Sequence, residues 1–260
     1  ILISKTMMQI LKNSYNFLKY QTQSLNYPKL NTRFDKDFIS VNALRSSGIY
    51  IDNNFGSNNN SAKDLISFYD KIDKTKLKKH INDKASSKNK ASYKIIITKF
   101  FDRDLLLSFA QNDFFIKNIQ QYFGFEPFLR EVRVVADIKN QFSDKPVYTQ
   151  NFHRDYDDIK LVKSFFYLTD VDETNGPFQF LSKTHSKPWY NPGSLSEKNI
   201  FEKFNQKDLV SCVGNKGTLI LADTNGLHRG LVLKKGYRYM VTAMYTSNNP
   251  RFGKLEEIVW

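Results

Sequence analysis

The chain has 260 residues, 40% of them hydrophobic and 15% aromatic, which is the composition of a folded, soluble protein with a core of ordinary size. No stretch approaches the roughly 18 to 20 uninterrupted apolar residues of a spanning helix, and the single cysteine, Cys212, excludes an intramolecular disulfide and a cysteine-rich zinc module. The formal charge of +13 invites a nucleic-acid partner, but the basic residues are mostly spread along a chain rich in Lys, Asn and Ile, so a nucleic-acid substrate is not expected.

The opening segment ILISKTMMQILKNSYNFLKY is broken by Lys5, Gln9, Lys12 and Asn13, and predicts neither a membrane anchor nor a secretory signal. With the lone cysteine, this points to a reducing, cytoplasmic compartment. Residues 48–62, GIYIDNNFGSNNNSA, are rich in Asn, Gly and Ser and read as a flexible connection. Between Ser61 and Lys79 the apolar residues Ala62, Leu65, Ile66, Phe68, Tyr69, Ile72 and Leu77 recur at three- and four-residue steps, predicting one amphipathic helix with Ser61 as its cap. The basic run at 74–90 reads as the exposed end of that helix passing into a loop.

A second helix is predicted over 113–123, DFFIKNIQQYF, with Gly124 in the left-handed position that ends a helix and Pro127 blocking continuation. Beyond Pro127 the texture changes to LREVRVVADI, KSFFYLTDV, PFQFLSK, KGTLILAD and RYMVTAMYT, which are rich in Val, Ile, Phe, Tyr and Thr without helical spacing. Asn175-Gly176 and Asn225-Gly226 predict primed hairpin turns. The expected fold is α+β with a mainly β core, in a single domain over 1–260: helical and irregular support over about 1–127, and an antiparallel sandwich or barrel over about 128–250.

Within NFHRDYDD, residues 151–158, an extended backbone sends His153 and Asp155 to the same face. Two ligands do not hold a metal. Of the four histidines, His80 lies in the basic helix end, whereas His228 follows GTLILAD and an Asn-Gly turn and can reach the mouth of the same sheet. Two imidazoles and one carboxylate leave three open positions on an octahedral Fe(II). His-x-Asp is also a common accident of polar loops. Ten positions after His228, Arg238 opens the last strand-like run, and its planar fork suits a carboxylate. The competing reading of Arg238 is an exposed cation at a strand end.

In four segments the sequence resembles the phytanoyl-CoA dioxygenase-like branch of the Fe(II)/2-oxoglutarate oxygenases: HRD at 153–155, LTDVDETNGPFQFLSKTHSK at 168–187, GTLILADTNGLHRG at 217–230 and GYRYMVTAMYT at 236–246. The resemblance implies a double-stranded β-helix, a jelly-roll or cupin-like barrel with iron inside one end. It implies His153, Asp155 and His228 as iron ligands, Arg238 on the far carboxylate of 2-oxoglutarate, and a structural role for His185. Gly230 and Met240 stand where the family carries a small hydroxylated residue, so the further co-substrate contact is sought at Tyr148, Thr242 or Arg133. The implied reaction uses Fe(II), 2-oxoglutarate and O2 to hydroxylate a C–H bond of a small molecule, with release of succinate and CO2. The presence of Asp155 argues against halogenation.

At least one of Phe165, Phe166 and Tyr167 is expected to face the iron, and specificity is expected in the loop 141–150 and in 186–208, which carries Trp189 and Tyr190. Arg154 should point away from iron, or reach an acidic substrate at the rim. Three alternatives stand beside this reading: the same chemistry on a nucleic acid or a protein side chain, a binding or sensing domain that holds metal without turnover, and a zinc hydrolase on a cupin-like barrel. The sequence does not give the oligomeric state.

Overall fold

The computed structural model describes residues 38–86, 93–140, 145–187 and 195–247, together with isolated helical positions between 7 and 22. The first described helix, α1 (Ile39–Ser47), ends at Gly48, whose φ of 85° is the left-handed value that glycine adopts without penalty. Residues 49–58, expected to be a flexible connection, are ordered instead: β1 (Ile49–Asp52) is followed by a short helical turn at Phe55–Asn58. Buried Ile49 and Phe55 anchor this stretch, and the Asn-rich composition around them hides those two contacts.

The helix predicted over 61–79 is two helices, α2 (Asn60–Lys71) and α3 (Lys74–Ala85). The break follows from capping. Asp73 accepts hydrogen bonds from the backbone N–H groups of Thr75 and Lys76 and so starts a new helix, while α2 is capped by Asn59, not by Ser61. After β2 (Lys94–Ile96) and α4 (Arg103–Ala110) comes α5 (Asp113–Phe123), which matches its prediction: Asn112 caps the start, and Gly124 ends it at a φ of 83°. Its buried residues Phe115, Ile119 and Phe123 each stabilise by about 1.5–3 kcal/mol.

The remaining strands are β3 (Phe128–Ile138), β4 (Leu161–Tyr167), β5 (Phe178–Leu181), β6 (Leu209–Cys212), β7 (Leu219–Ala222), β8 (His228–Gly230) and β9 (Tyr237–Thr246). They build a six-stranded sheet in the order β1-β7-β4-β9-β3-β2 and a three-stranded sheet in the order β6-β5-β8. Every strand pairing among the described residues is antiparallel.

Side chains alternate across the larger sheet. Val132, Val134, Phe166, Val241 and Tyr245 face the helices, where Leu65, Leu77, Phe109 and Phe115 cover them. Phe165, Tyr167, Ile220 and Met240 face the other way and meet Phe178, Phe180 and Cys212 of the smaller sheet. The space between the two sheets is therefore closed by apolar packing at one end and left open at the other.

Neither Asn-Gly pair forms the predicted primed turn. Among the described non-glycine residues only Tyr148 and Lys183 have positive φ, and Gly226 does not have it either. Gly226 is needed for space: a Cβ there would collide with the Phe180 ring. No helix among the described residues is long and apolar enough to cross a membrane.

Candidate metal centre

His153 is reached from an irregular segment. A reciprocal backbone pair ties it to β8: His153 N donates to His228 O at 3.0 Å and His228 N to His153 O at 2.9 Å. This isolated bridge brings the two imidazoles together across the barrel mouth, with ring centroids 4.3 Å apart. Two residues on, Asp155 N donates to Thr224 O at 2.9 Å, which turns its carboxylate back toward both rings. His153 Nε2 lies 3.8 Å from Asp155 Oδ1, and His228 Nε2 lies 3.6 Å from Asp155 Oδ2. One ligand atom from each of the three residues falls within 4.8 Å of the others, the dimension of a single-ion site.

The second ring nitrogens settle which lone pairs are free. His153 Nδ1 is 2.9 Å from Asn151 O and His228 Nδ1 is 2.9 Å from Gly226 O. A carbonyl only accepts, so both Nδ1 atoms carry the proton and both Nε2 atoms present a lone pair to the centre. Burial pushes the pKa of His228 down to about 3 and lowers that of His153, which keeps both rings neutral and ready to ligate. For Asp155, burial acts to raise the pKa, but the Lys163 ammonium and the two imidazoles outweigh it and hold the carboxyl well below the usual carboxylate range. Two neutral imidazoles and one anionic carboxylate, with ligand atoms within 4.8 Å of one another, fit a divalent first-row metal.

Arg238 is 3% exposed, so it is not a strand-end cation. Its Nε and Nη2 both donate to Asp137 Oδ2, at 3.1 and 2.6 Å, while Nη1 has no hydrogen-bond partner among the described residues. The pairing follows from register, because Asp137 on β3 and Arg238 on β9 are direct cross-strand partners. A buried arginine needs an anion, and the fold supplies one. The guanidinium crosses the barrel toward β8: a Cβ on Gly230, two residues past His228, would stand 3.4 Å from Arg238 Nη2.

Between Arg238 and the cluster of His153, Asp155 and His228 lie two lysines that sequence reasoning missed. Lys163 Nζ sits 2.8 Å from Asp155 Oδ2. Lys94 makes no hydrogen bond or ion pair with the described residues, and feels Asp137, Arg238, Lys163 and Asp155 around it. Its side chain is reached by solvent through the barrel mouth, while crowding by protein lowers its pKa through desolvation. Lys163 shares the inward face with Phe165, but its letter in KSFFYLTDV is that of any solvated strand lysine.

A cavity of about 350 Å³ opens at this end, lined by Lys94, Glu131, Arg133, Lys163 and Thr242 among apolar walls. Tyr148 and Thr149 stand at its mouth, with Tyr148 60% exposed. Tyr148, Thr242 and Arg133, the three sequence candidates for a co-substrate contact, thus share one cavity. Phe165 and Tyr167 face into the barrel and Phe166 faces the helices. Arg154 points away from the metal centre and does not reach the rim: Nη1 donates to Thr184 O at 2.8 Å and also to Asn225 O. His185 lies apart, buried, with Nε2 3.3 Å from Arg45 O. His80 is half-buried beside Phe100 and belongs to no metal group among the described residues. Residues 141–144 and 188–194, including Trp189 and Tyr190, lie outside the described residues.

No protein-family model matches the chain, and no curated protein sequence does. Solved structures do. EctD from S. alaskensis with bound Fe superposes with a TM-score of 0.56 at 15% identity, covering 88% of this chain and 84% of that one. AviO1 from Streptomyces viridochromogenes Tue57 gives a TM-score of 0.52 at 13% identity, over 84% of this chain and 97% of that one. The epimerase SnoN, in complex with Fe3+, alpha ketoglutarate and nogalamycin RO, gives 0.53 at 14% identity, over 80% and 82% of the two chains. At these identities the likeness establishes the fold: helices on antiparallel sheets in the double-stranded β-helix arrangement of phytanoyl-CoA dioxygenase-like oxygenases.

Proposed function

We propose that this protein is an Fe(II)- and 2-oxoglutarate-dependent dioxygenase that hydroxylates a C–H bond of a small molecule. The observation that carries the reading is the convergence of His153 Nε2, His228 Nε2 and the Asp155 carboxylate within 4.8 Å, with each Nδ1 tied to a carbonyl. The fold match adds to it, since the EctD structure holds Fe and the SnoN structure holds Fe3+ and alpha ketoglutarate.

Bound iron, 2-oxoglutarate and dioxygen supply the oxidising power that places a hydroxyl on carbon and releases succinate and CO2. The chain's own residues hold and orient. His153 and His228, through their Nε2 atoms, and the Asp155 carboxylate would hold the metal. Arg238, through its unpartnered Nη1, and Lys94, open to the cavity with no counter-ion of its own, receive the far carboxylate of the co-substrate. Thr242 and its cross-strand partner Arg133 are four residues along β9 from Arg238, about 13 Å, and Tyr148 is at the mouth, so all three serve as walls of the outer half of the cavity and none as a contact of the co-substrate. Phe165 and Met240 line the same cavity and limit water around the centre. A walled cavity of about 350 Å³ favours a small molecule over a nucleic-acid strand.

The test is anaerobic addition of Fe(II) and 2-oxoglutarate, reading the visible charge-transfer band of the chelate. The expected result is a band lost in His153→Ala and weakened in Arg238→Ala. Metal binding with no band and no 2-oxoglutarate binding by calorimetry would instead identify a metal-binding domain without this chemistry.

A further inference from the structure

The charges around the cavity define a class of primary substrate, and this step rests on the co-substrate reading above. The inward face at the open end of the barrel carries the cations Lys94, Arg133, Lys163 and Arg238 and the anions Glu131, Asp137 and Asp155. Each anion holds one cation. Asp137 holds Arg238 at 2.6 Å, Asp155 holds Lys163 at 2.8 Å and Glu131 holds Arg133 at 3.1 Å, which leaves Lys94 unmatched. A divalent metal and a doubly charged co-substrate do not alter the balance, because their charges cancel. One positive charge then remains in a cavity whose other walls include Ile96, Val135, Phe165, Met240 and Met244. Water reaching Lys94 screens this charge until a substrate fills the cavity and displaces that water, and a charge left unmatched is then costly. Asp157, which also faces Lys163, is exposed and does not line this cavity.

The place of the compensating anion follows from the free donors. Lys94 and Arg238 are committed to the co-substrate. On the outer half of the cavity, Arg133 keeps a buried Nε with no hydrogen-bond partner among the described residues, while its Nη2 lies 3.1 Å from Glu131. Arg133 sits opposite Thr242 in the sheet register, about 13 Å along β9 from Arg238, so an anion bound there does not compete with 2-oxoglutarate.

We propose that the primary substrate is a small organic monoanion whose carboxylate is received by Arg133 and whose apolar part lies against Phe165, Met240 and Met244. A phosphate monoester, carrying about −1.5 to −2 at neutral pH, overshoots the single charge to be matched.

The test loads the intact protein with Zn(II) and 2-oxoglutarate, confirms co-substrate binding by calorimetry, and then titrates matched carboxylate and primary-amide pairs by ligand-observed NMR. The pairs are hexanoate with hexanamide, 3-phenylpropionate with its amide, and N-acetylleucine with its amide. The expected result is at least one carboxylate bound about tenfold tighter than its amide. Arg133→Gln should abolish that preference, Arg133→Lys should keep part of it, and the 2-oxoglutarate affinity of both variants should stay within about twofold of wild type. If 2-oxoglutarate does not bind, the co-substrate reading fails and takes this inference with it. If 2-oxoglutarate binds but no carboxylate does, if the amides bind equally well, or if Arg133→Gln keeps the preference, this inference alone is overturned.

Discussion

The Lys163 ammonium lies 2.8 Å from Oδ2 of Asp155, so the carboxylate offered to a metal already has a cation beside it. A divalent ion must share that oxygen pair with the ammonium and withstand its repulsion. Removing the ammonium while keeping the stem, in Lys163→Met, should therefore tighten metal binding. A hydrogen bond to a charged group is worth about 1.5–3 kcal/mol, so the expected gain in Zn(II) or Co(II) affinity is about tenfold or more. Calorimetric titration of the two proteins decides it: weaker binding by the variant would mean that Lys163 holds Asp155 in place for the metal and does not compete with it.

Asp137 and Arg238 form a buried pair, 1% and 3% exposed, in direct cross-strand register. Neutralising one member strands the other. Asp137→Asn should cost about 3–5 kcal/mol of stability, the usual penalty for an unpaired buried charge. The same substitution leaves Arg238 more available to a carboxylate, so 2-oxoglutarate should raise the melting temperature of the variant by more than it raises that of wild type. Equal shifts in the two proteins would separate Arg238 from co-substrate binding.

The parts of the fold visible in the sequence are those where one local rule acts alone. α5 was legible because cap, apolar spacing and terminal glycine agree, and β3 and β9 because they are long and rich in Val, Tyr and Thr. The break at Ile72-Asp73 was not, because the apolar spacing runs through it and only the capping carboxylate of Asp73 interrupts the helix. β1, β2 and β8 are three or four residues long and exist through their partners. The candidate ligands could be named through the resemblance of four ordered segments, since His-x-Asp alone is a common accident, and the fold brings His153, Asp155 and His228 together. Lys94, Asp137 and Lys163 could not, because an inward-facing charge on a strand has the same letter as a solvated one, and only the sheet register reveals its partner.

Gly226 makes the approach of β8 possible, and its carbonyl accepts the Nδ1–H of His228. A Cβ at this position would collide with the buried Phe180 ring, and neither can move freely. Gly226→Ala should therefore cost about 1–3 kcal/mol through overpacking and should displace the His228 ring. The expected signature is a lower melting temperature together with weaker Co(II) binding and an altered ligand-field spectrum. A variant that melts lower but binds Co(II) with an unchanged spectrum would show that the turn can shift without moving the ligand.

The buried imidazoles also set the acid response of the metal-free protein. His228 has its pKa pushed down to about 3 by burial, and His153 shifts the same way for the same reason. In the unfolded chain both take up a proton near about 6.5. Between those two limits the unfolded state binds more protons than the folded one, so stability falls as the pH drops from about 6.5 toward about 3 and is unaffected above that window. Asp155, held below its unfolded value, adds a further loss only below about pH 4. In chelator-treated protein the urea midpoint should be level above about pH 7 and should decline steadily below it. His228→Gln, which cannot take up a proton in either state, should show a shallower decline between about pH 6.5 and 4, where Asp155 contributes little. A midpoint unchanged down to about pH 5, or the same slope in wild type and variant, would mean that the His228 ring is solvated and ordinary, and that the centre lacks the dry surroundings described here.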